Sequence, residues 1–302
     1  MSTRTSPRKI GLVDRLKTGW TLTTDSVGVI RNHPRLLVFP LLAGLTSGLF
    51  FVLFLFPLLV ANLFGSGVEY LVLFGLYFVT TFVSTYFSAA LVYGANEAFH
   101  GNEPGVIESV QAVRGKAVPI GIWAAIAATV SVLLKALEDS DNPIASVLSR
   151  LFSVGWSIMT FFIVPVIVFE EVSTTSMFER SGRTFRETWG ETIGAGFGIT
   201  LITALIGLVL VALALAISVP VAALFAGPGI ALAVFLVAGA VVFTYVLGQT
   251  IWGIAKTALY VYAVEGVAPA EFEDFDFETL GGRTERPASP GTAGTPSTVA
   301  DG

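Results

Sequence analysis

The chain has 302 residues, of which 54% are hydrophobic and 13% are charged, with a formal net charge of -5. Soluble domains average about 45–50% apolar and about 25% charged residues, so the composition excludes an ordinary water-soluble globule, and its acidity argues against a nucleic-acid partner. The chain has no cysteine, which excludes disulfides, thiolate catalysis and cysteine-ligated metal sites.

The N-terminal residues form a basic leader, and we expect residues 1–12 to be disordered. The first long apolar run begins only at Leu36 and continues to Leu63. The apolar region of a signal peptide covers about 7–15 residues near the N-terminus. This run is too long and too late for a cleavable signal, so we expect it to remain as the first membrane span.

Six apolar runs are each long enough for a helix to cross the hydrocarbon of a bilayer, which takes about 20 residues. They cover approximately residues 36–62, 70–95, 117–137, 147–169, 193–218 and 229–255. The runs lack the short alternating segments of a membrane barrel, and backbone groups in lipid must be satisfied within the segment. The sequence therefore predicts an all-α, polytopic membrane helix bundle with a six-span domain at residues 13–266.

Lysine and arginine are distributed asymmetrically around these spans. Fifteen of the 17 lie before the first span, in the connections between spans 2 and 3 and spans 4 and 5, or from the end of span 6 onward. The other two, Lys135 and Arg150, lie near acidic residues in the connection between spans 3 and 4. Because basic residues collect on the cytoplasmic side, we predict a multi-pass protein of the plasma membrane with both termini in the cytoplasm.

A short amphipathic segment precedes spans 1, 3 and 5, at residues 13–31, 105–116 and 176–190. Apolar residues recur in each segment at helical spacing. They are Val13, Leu16, Trp20, Val27 and Ile30 in the first segment, Val106, Val110 and Val113 in the second, and Phe178, Phe185 and Trp189 in the third. We expect three cytoplasmic helices in the headgroup layer. An amphipathic helix followed by a hairpin thus occurs three times, either as a true internal repeat or as a pattern without common origin.

The C-terminal segment after the last span is polar. Residues 271–278 place five carboxylates and three phenylalanines in eight positions. We expect a solvated stretch next to the membrane, and the alternative is a binding segment for a basic protein partner. The sequence from Gly281 onward is too poor in apolar residues to form a core. Residues 267–302 are therefore predicted as an acidic, then low-complexity, disordered tail.

Several short motifs occur in a fixed order along the chain. They are Gly19-Trp20-x-Leu22, Pro34-x-Leu36-Leu37-x-Phe39-Pro40, Val164-Pro165-x-Ile167-x-x-Glu170, Arg180-Ser181-x-x-x-Phe185-x-x-x-Trp189-Gly190 and Ala258-Leu259-Tyr260-x-Tyr262-Ala263. This order resembles an uncharacterised family of six-helix prokaryotic, mainly archaeal, membrane proteins. The central pair of motifs also looks like the loop of membrane domains attached to some glycerophosphodiester phosphodiesterases, whose hydrolase domain is absent here. The resemblance implies a fold and a membrane location, and no activity.

Charged side chains inside the spans are rare. No Asp, Glu, Arg or His lies at the centre of a predicted span, which argues against a relay of protons or metal ions through acidic groups. Lys256 is the nearest exception, close to the cytoplasmic end of span 6. Its ammonium group either reaches the headgroup layer along the membrane normal or faces a substrate. We find no catalytic, cofactor-binding or metal-binding constellation.

A glutamate closes each even-numbered span. These residues are Glu97, Glu171 and Glu265. A carboxylate at a helix C-terminus opposes the helix dipole by about 0.3–1 kcal/mol, which favours compensating cations nearby. We hypothesise ion pairs with basic residues of the amphipathic segments, namely Arg31, Arg35, Arg114, Lys116 and Arg180. The alternative is that the three carboxylates are solvated and mark the membrane edge.

Glycine and proline suggest where spans pack closely or bend. Gly44 and Gly48 in span 1, and Gly194 and Gly198 in span 5, are predicted to allow close helix packing. Pro57 and Pro165 are predicted to kink spans 1 and 4, because proline lacks the amide hydrogen that a helix needs.

These features lead us to expect a structural, lipid-organising or accessory membrane factor without enzymatic activity, cofactor or metal. The alternative is a small transporter or permease for an uncharged or amphiphilic solute, and a lipid-modifying enzyme is a third. The expected partners are membrane lipids, and a second copy or another membrane protein. A polar cavity at the bilayer midplane would favour transport, whereas a hydrophobic lateral groove would favour lipid handling.

Overall fold

The computed structural model describes residues 12–61, 67–139, 143–171, 173–189, 195–272, 275 and 277. These residues form helices and no strand. The α-helices are α1 (Leu12–Asn32), α2 (Val38–Val60), α3 (Val68–Phe99), α4 (Val106–Ala112), α5 (Ala117–Glu138), α6 (Pro143–Met159), α7 (Ile163–Phe169), α8 (Thr174–Trp189), α9 (Ala195–Leu224) and α10 (Ala226–Glu265). Short 3-10 helices cover Pro34–Leu37, Arg114–Lys116 and Ala270–Phe272.

Six helical stretches are long and apolar enough to cross a membrane. They are Pro34–Leu58, Val68–Phe99, Val106–Glu138, Val147–Phe169, Ile199–Ala222 and Gly229–Glu265. The prediction of an all-α bundle with six membrane-spanning helices is therefore confirmed, and the chain is a multi-pass membrane protein. The last helix extends about ten residues past the predicted end of span 6, to Glu265, and Gly266 then ends it with a positive φ of 76°.

Span 4 consists of two helices rather than one. Helix α6 ends at Met159, residues 160–162 form a turn, and α7 begins at Ile163. Pro165 explains the position of the break, because its ring would collide with the carbonyl group four residues earlier, that of Phe161. The amide of Phe162 is freed by the turn and donates a 3.1 Å hydrogen bond to the hydroxyl oxygen of Ser181 in α8. The interruption lies where Pro165 predicts it, whereas α2 is one continuous helix through Pro57.

The spans are arranged as three hairpins, α2 with α3, α5 with the broken α6 and α7, and α9 with α10. Helix α3 is central, since it packs against α2, α5, α7 and α10. A further helix precedes each hairpin: α1, α4 and α8 respectively. Helices thus lie at all three positions where the sequence predicts an amphipathic segment.

The faces of these three helices differ in their environments. In α1 the predicted apolar stripe is divided, because Ile30 is buried whereas Trp20 and Val27 are exposed. The buried face of α1 is formed instead by Leu22 and Val29, and this helix packs against α9 and α10. In α4 the predicted stripe packs against the core through Val106, Val110 and, directly after the helix, Val113. In α8 it packs against the core through Phe178 and Phe185.

The hydrophobic core lies at one end of the bundle. We call this the packed end: it contains α1, α4, α8, the start of α2, α5 and α9, and the C-terminal part of α3, α7 and α10. At the opposite, open end the spans are joined by the connections that follow α2, α5 and α9. Apolar side chains there are largely exposed, as Leu71 and Phe235 illustrate at 73% and 74%. In a membrane-spanning bundle such apolar surfaces face lipid.

The start of the C-terminal segment differs from the prediction of a disordered tail. Phe272, Phe275 and Phe277 are buried at the packed end, where the Phe272 ring lies 5.8 Å from that of Phe99 and the Phe277 ring 4.6 Å from that of Tyr262. Burial of an aromatic side chain contributes about 1.5–3 kcal/mol, which offsets the cost of ordering this short stretch. Residues 1–11 and 278–302, which include most of the leader and the low-complexity tail, lie outside the described residues.

Candidate functional site

A cavity of about 100 Å³ lies between α2, α3, α7 and α10. It is lined by Pro40, Ala43, Ser84, Ser88, Leu91, Val92, Val164, Tyr245, Gln249, Trp252, Gly253 and Lys256. We call it the Lys256 cavity. Its wall combines apolar side chains with one cation, two serine hydroxyls, an amide and a phenol. Such a mixture of an apolar wall with a few convergent polar groups is typical of a ligand site.

The depth of this cavity follows from the helix geometry. Pro40, Ser88 and Gln249 each lie about 20 residues from the open end of their spans, which corresponds to about 30 Å. Charged residues at the open end, such as Glu69 and Glu138, mark where the hydrocarbon begins. Since the hydrocarbon is about 30 Å thick, the Lys256 cavity lies at its other boundary, at the level of one headgroup layer.

The ammonium group of Lys256 lies over two aromatic rings. Its Nζ atom is 5.0 Å from the ring centroid of Phe161 and 5.4 Å from that of Trp252. Helical side chains point toward the N-terminus of their helix, so the lysine reaches back over the residue four positions earlier, into the bundle. Because the cavity itself lies at headgroup level, this geometry is compatible with both interpretations that the sequence left open, an ammonium group at the headgroup layer and one that faces a substrate.

Lys256 has no acidic partner in the part of the chain that the structure describes. No ion pair or hydrogen bond of its ammonium group occurs there, and no Asp or Glu lines the cavity. Cation–π contacts contribute about 0.5–2 kcal/mol each, and they offset only part of the hydration that this half-buried ammonium group loses. A bound anion would supply the remaining stabilisation.

Three further polar side chains around the cavity also lack a protein hydrogen-bond partner among the described residues: Ser84, Ser88 and Gln249. Ser84 and Gln249 are exposed and Ser88 is half-buried. Some hydroxyl groups elsewhere in the spans, such as those of Thr244 and Thr250, bond to a carbonyl of their own helix four residues earlier, whereas that of Thr203 has no partner among the described residues. The sequence analysis missed these three residues. Ser84 and Ser88 are four positions apart and share one face of α3, so a search for polar residues at this spacing within an apolar span would have found them.

Local sequence explains how Lys256 comes to face the cavity. The break before Pro165 places Phe161 against Trp252, with their ring centroids 5.7 Å apart and nearly perpendicular. Gly253 lets α10 approach α3 closely, because a Cβ atom at this position would collide with Leu91. These two features bring the aromatic pair, the small residue and the lysine together on one side of α10.

A larger groove of about 400 Å³ lies between α9 and α10. Its lining residues are Ile199, Thr200, Thr203, Ala204, Thr244, Tyr245, Gly248, Gln249 and Trp252. We call it the α9/α10 groove. It shares Tyr245, Gln249 and Trp252 with the Lys256 cavity, so the two spaces adjoin along α10. The groove opens toward the exposed apolar faces of both helices, which places it in contact with lipid.

The two helices of this groove approach each other through glycine and threonine. A Cβ atom on Gly207 would lie 2.5 Å from the Thr244 side chain, and one on Gly248 would lie 2.6 Å from the Thr203 side chain. The two contacts are reciprocal, since each helix supplies one glycine and one threonine. Small residues allow membrane helices to pack backbone against backbone. The sequence analysis missed this pair because the glycines lie on different helices and form no short motif.

The glycines that the sequence did predict behave differently. A Cβ atom on Gly44 would make an ordinary 3.5 Å contact with Tyr245, which lines the Lys256 cavity. Gly48 faces open space, with no heavy atom within 4 Å. Gly194 lies outside the described residues, and Gly198 lies in the first turn of α9.

A cluster centred on Glu170 connects the helices beside the cavity. The Nε atom of Arg180 donates to both carboxylate oxygens of Glu170 at 2.8 Å, and the hydroxyl group of Tyr260 donates to one of them. Lys116 donates to the backbone oxygen of Glu170 at 3.3 Å. The cluster therefore joins the end of span 4, helix α8, span 6 and the start of span 3.

The predicted ion pairs of Glu97, Glu171 and Glu265 can be compared with these contacts. Arg180 pairs with Glu170, one residue before Glu171, and the Oε2 atom of Glu97 accepts a 2.9 Å hydrogen bond from the amide of Asn102. Within the described residues the structure contains no ion pair of Glu97, Glu171 or Glu265. Of the proposed cations, Arg31, Arg35 and Arg114 are exposed at the packed end.

The fold and these sites define the class of protein: an α-helical, multi-pass membrane protein with a cation-bearing cavity at one headgroup layer. Within this class the chain belongs to a family of unknown function, DUF6159, whose model matches residues 67–270. The match includes spans 2 to 6, and with them the parts of the cavity that come from α3, α7 and α10. No curated protein and no solved structure matches the chain.

Proposed function

We propose that the protein is a membrane factor without enzymatic activity that binds bilayer lipids at one leaflet and organises them there. The observation that carries this proposal is the α9/α10 groove, a mostly apolar, lateral opening between two helices whose neighbouring faces are exposed to lipid. An acyl chain that moves from the bilayer into this groove stays in apolar surroundings, so the move exposes no apolar surface to water.

The packed and open ends support the same proposal. The described core holds the helices together at the packed end, whereas the spans expose apolar side chains over much of their length toward the open end. The α9/α10 groove is a lateral space within the third hairpin, and lipid can fill it. The Lys256 cavity lies at headgroup level, a position suited to a lipid headgroup rather than to a solute path through the midplane.

We further propose that the packed end faces the cytoplasm and that the membrane is the plasma membrane. The proposal is supported by the 15 of 17 basic residues that the sequence assigns to this side. Arg31, Arg35, Arg114, Lys116 and Arg180 all lie at the packed end. The bound lipids would then belong to the inner leaflet.

A tryptophan in the groove tests the proposed function. Ala204 lines the groove and is exposed, so Ala204→Trp fills the space where an acyl chain would lie. We expect native mass spectrometry of the purified variant to detect fewer retained lipids than in the unmodified protein. Ala212→Trp is the matched control, because Ala212 is exposed on the same helix and does not line the groove. Equal lipid retention by both variants would refute the proposal.

Reconstituted liposomes separate the proposed function from its alternatives. With purified protein in the bilayer, we expect no flux of uncharged solutes above that of protein-free liposomes. Flux that Ala204→Trp blocks would favour a transporter instead. Chemical conversion of a labelled lipid would favour an enzyme.

A further inference from the structure

We propose that the Lys256 cavity binds the phosphate-bearing headgroup of an anionic lipid, whose acyl chains occupy the adjoining α9/α10 groove. This inference rests on the proposed function, because it names the class of lipid that the groove receives. The carrying observation is the convergence on one cavity at headgroup level of three polar side chains and an ammonium group that has no acidic partner among the described residues.

The charge of the site selects an anion. The Lys256 ammonium group lies between aromatic rings and the cavity, and the lining residues supply no carboxylate to neutralise it. Lys256 is half-buried, and a cation that loses part of its hydration is stabilised by a paired and hydrogen-bonded anion. A zwitterionic headgroup meets this requirement less well, because its own cation would either lie close to the Lys256 ammonium group or have to stay outside the cavity.

The donors around the cation suit phosphate oxygens. Ser84 and Ser88 on α3 supply hydroxyl groups, and Gln249 on α10 supplies an amide, from opposite sides of the cavity. Phosphate oxygens accept several hydrogen bonds at once, and those from charged donors are about twice as strong as neutral ones. Lysine and neutral donors together can therefore satisfy a phosphodiester.

The position of the site favours a lipid over a soluble anion. The cavity lies at the hydrocarbon boundary and shares Tyr245, Gln249 and Trp252 with the α9/α10 groove. A phosphate attached to acyl chains can occupy both spaces together, and the chains then bury apolar surface against the groove. A free phosphate ion would fill only the Lys256 cavity and would bury no apolar surface in the adjoining α9/α10 groove.

Competition between two lipids tests this proposal. The full-length protein in detergent is incubated with equal amounts of phosphatidylglycerol and phosphatidylcholine that carry the same acyl chains, and native mass spectrometry counts the retained lipids. We expect a preference of about tenfold for phosphatidylglycerol, because both lipids offer the same phosphodiester and only phosphatidylcholine brings a second cation close to Lys256. Lys256→Gln should abolish the preference, and Lys256→Arg should keep most of it.

Two controls keep the result specific. Arg31→Gln removes the same charge from an exposed position at the packed end, and we expect its preference to be unchanged. Ser88→Ala and Gln249→Leu leave the lysine in place, and each should lower the amount of retained phosphatidylglycerol severalfold, which keeps the test informative if Lys256→Gln fails to fold.

Three results would overturn the inference. The first is an undiminished preference in Lys256→Gln, and the second is undiminished retention of phosphatidylglycerol in both Ser88→Ala and Gln249→Leu. The third is inorganic phosphate that displaces phosphatidylglycerol and raises the melting temperature in a Lys256-dependent way, since the ligand would then be a soluble anion. If lipid retention still depends on Ala204 while the preference does not depend on Lys256, the proposed function stands and only this inference fails.

Discussion

Replacing Glu170 by alanine should weaken the packed end, because this carboxylate accepts hydrogen bonds from two other helices. The bond from the buried Tyr260 hydroxyl to a charged acceptor contributes about 1.5–3 kcal/mol. The ion pair with Arg180 is more exposed, with 39% of the arginine and 20% of the glutamate side chain accessible, so it adds about 0.2–1 kcal/mol. We therefore expect Glu170→Ala to cost about 2–4 kcal/mol in the free energy of unfolding.

A double-mutant cycle isolates the larger of these two interactions. Tyr260→Phe removes only the hydroxyl group and should cost about 1.5–3 kcal/mol. Once Glu170 is alanine, the same substitution should cost little more, because its acceptor is already gone. The variants are compared by reversible unfolding in one detergent or, where unfolding is irreversible, by apparent melting temperature at one scan rate.

The neighbouring carboxylate gives a matched control for this cycle. Glu171 is exposed and has no ion pair within the described residues, so Glu171→Ala should change the free energy of unfolding by less than about 0.5 kcal/mol. Equal effects of Glu170→Ala and Glu171→Ala would refute the assignment of the cluster to Glu170. Additive effects of Glu170→Ala and Tyr260→Phe would refute the hydrogen bond between them.

Two further substitutions test the packing on either side of the cavity. Gly248→Leu should separate α9 from α10 and cost about 1–3 kcal/mol in the free energy of unfolding, because even a Cβ atom would lie 2.6 Å from Thr203. Gly48 faces open space, so Gly48→Leu should melt at nearly the unmodified temperature. Equal losses of stability in the two variants would contradict the close approach of α9 and α10. Phe272→Ala should cost about 3–5 kcal/mol in the free energy of unfolding, because this ring is fully buried. Val267 is exposed, so Val267→Ala should cost almost nothing. An equally small effect of Phe272→Ala would mean that Phe272 does not pack against the packed end.

The spans were predictable from the sequence because each is a long apolar run between charged connections. Apolar length and composition decide membrane insertion locally, without knowledge of tertiary contacts. The helices before the hairpins were predictable for a similar reason, since apolar residues recur in α4 and α8 at helical spacing. The exposed surfaces of α1 show the limit of this reasoning, because which face of a helix is buried depends on its neighbours.

The choice between Glu170 and Glu171 was beyond the sequence. The two residues are adjacent in the chain, and the packing of α7 against its neighbouring helices decides which of them contacts Arg180 and Tyr260. The proline predicted that the helix would be interrupted, but not the direction in which it would continue.

The average composition of the C-terminal segment gave no sign that its phenylalanines are buried. Over residues 271–278 the five carboxylates dominate the composition and predict solvation. Phe272, Phe275 and Phe277 nevertheless share a buried surface at the packed end. The cavity was hidden in the same way, since single serine and glutamine residues barely alter the hydropathy of an apolar span.

Labelling of single cysteines in intact cells tests the six-span account most directly, because the chain has no cysteine of its own. Ala61→Cys, Glu138→Cys and Phe225→Cys each place a thiol at an exposed position of the open end, and His100→Cys and Ser173→Cys do so at the packed end. We predict that a membrane-impermeant maleimide labels the first three from outside, and the other two only after the cells are lysed. Labelling of His100→Cys or Ser173→Cys in intact cells, with Ala61→Cys protected, would invert the orientation, and a mixed pattern within either group would contradict the six crossings.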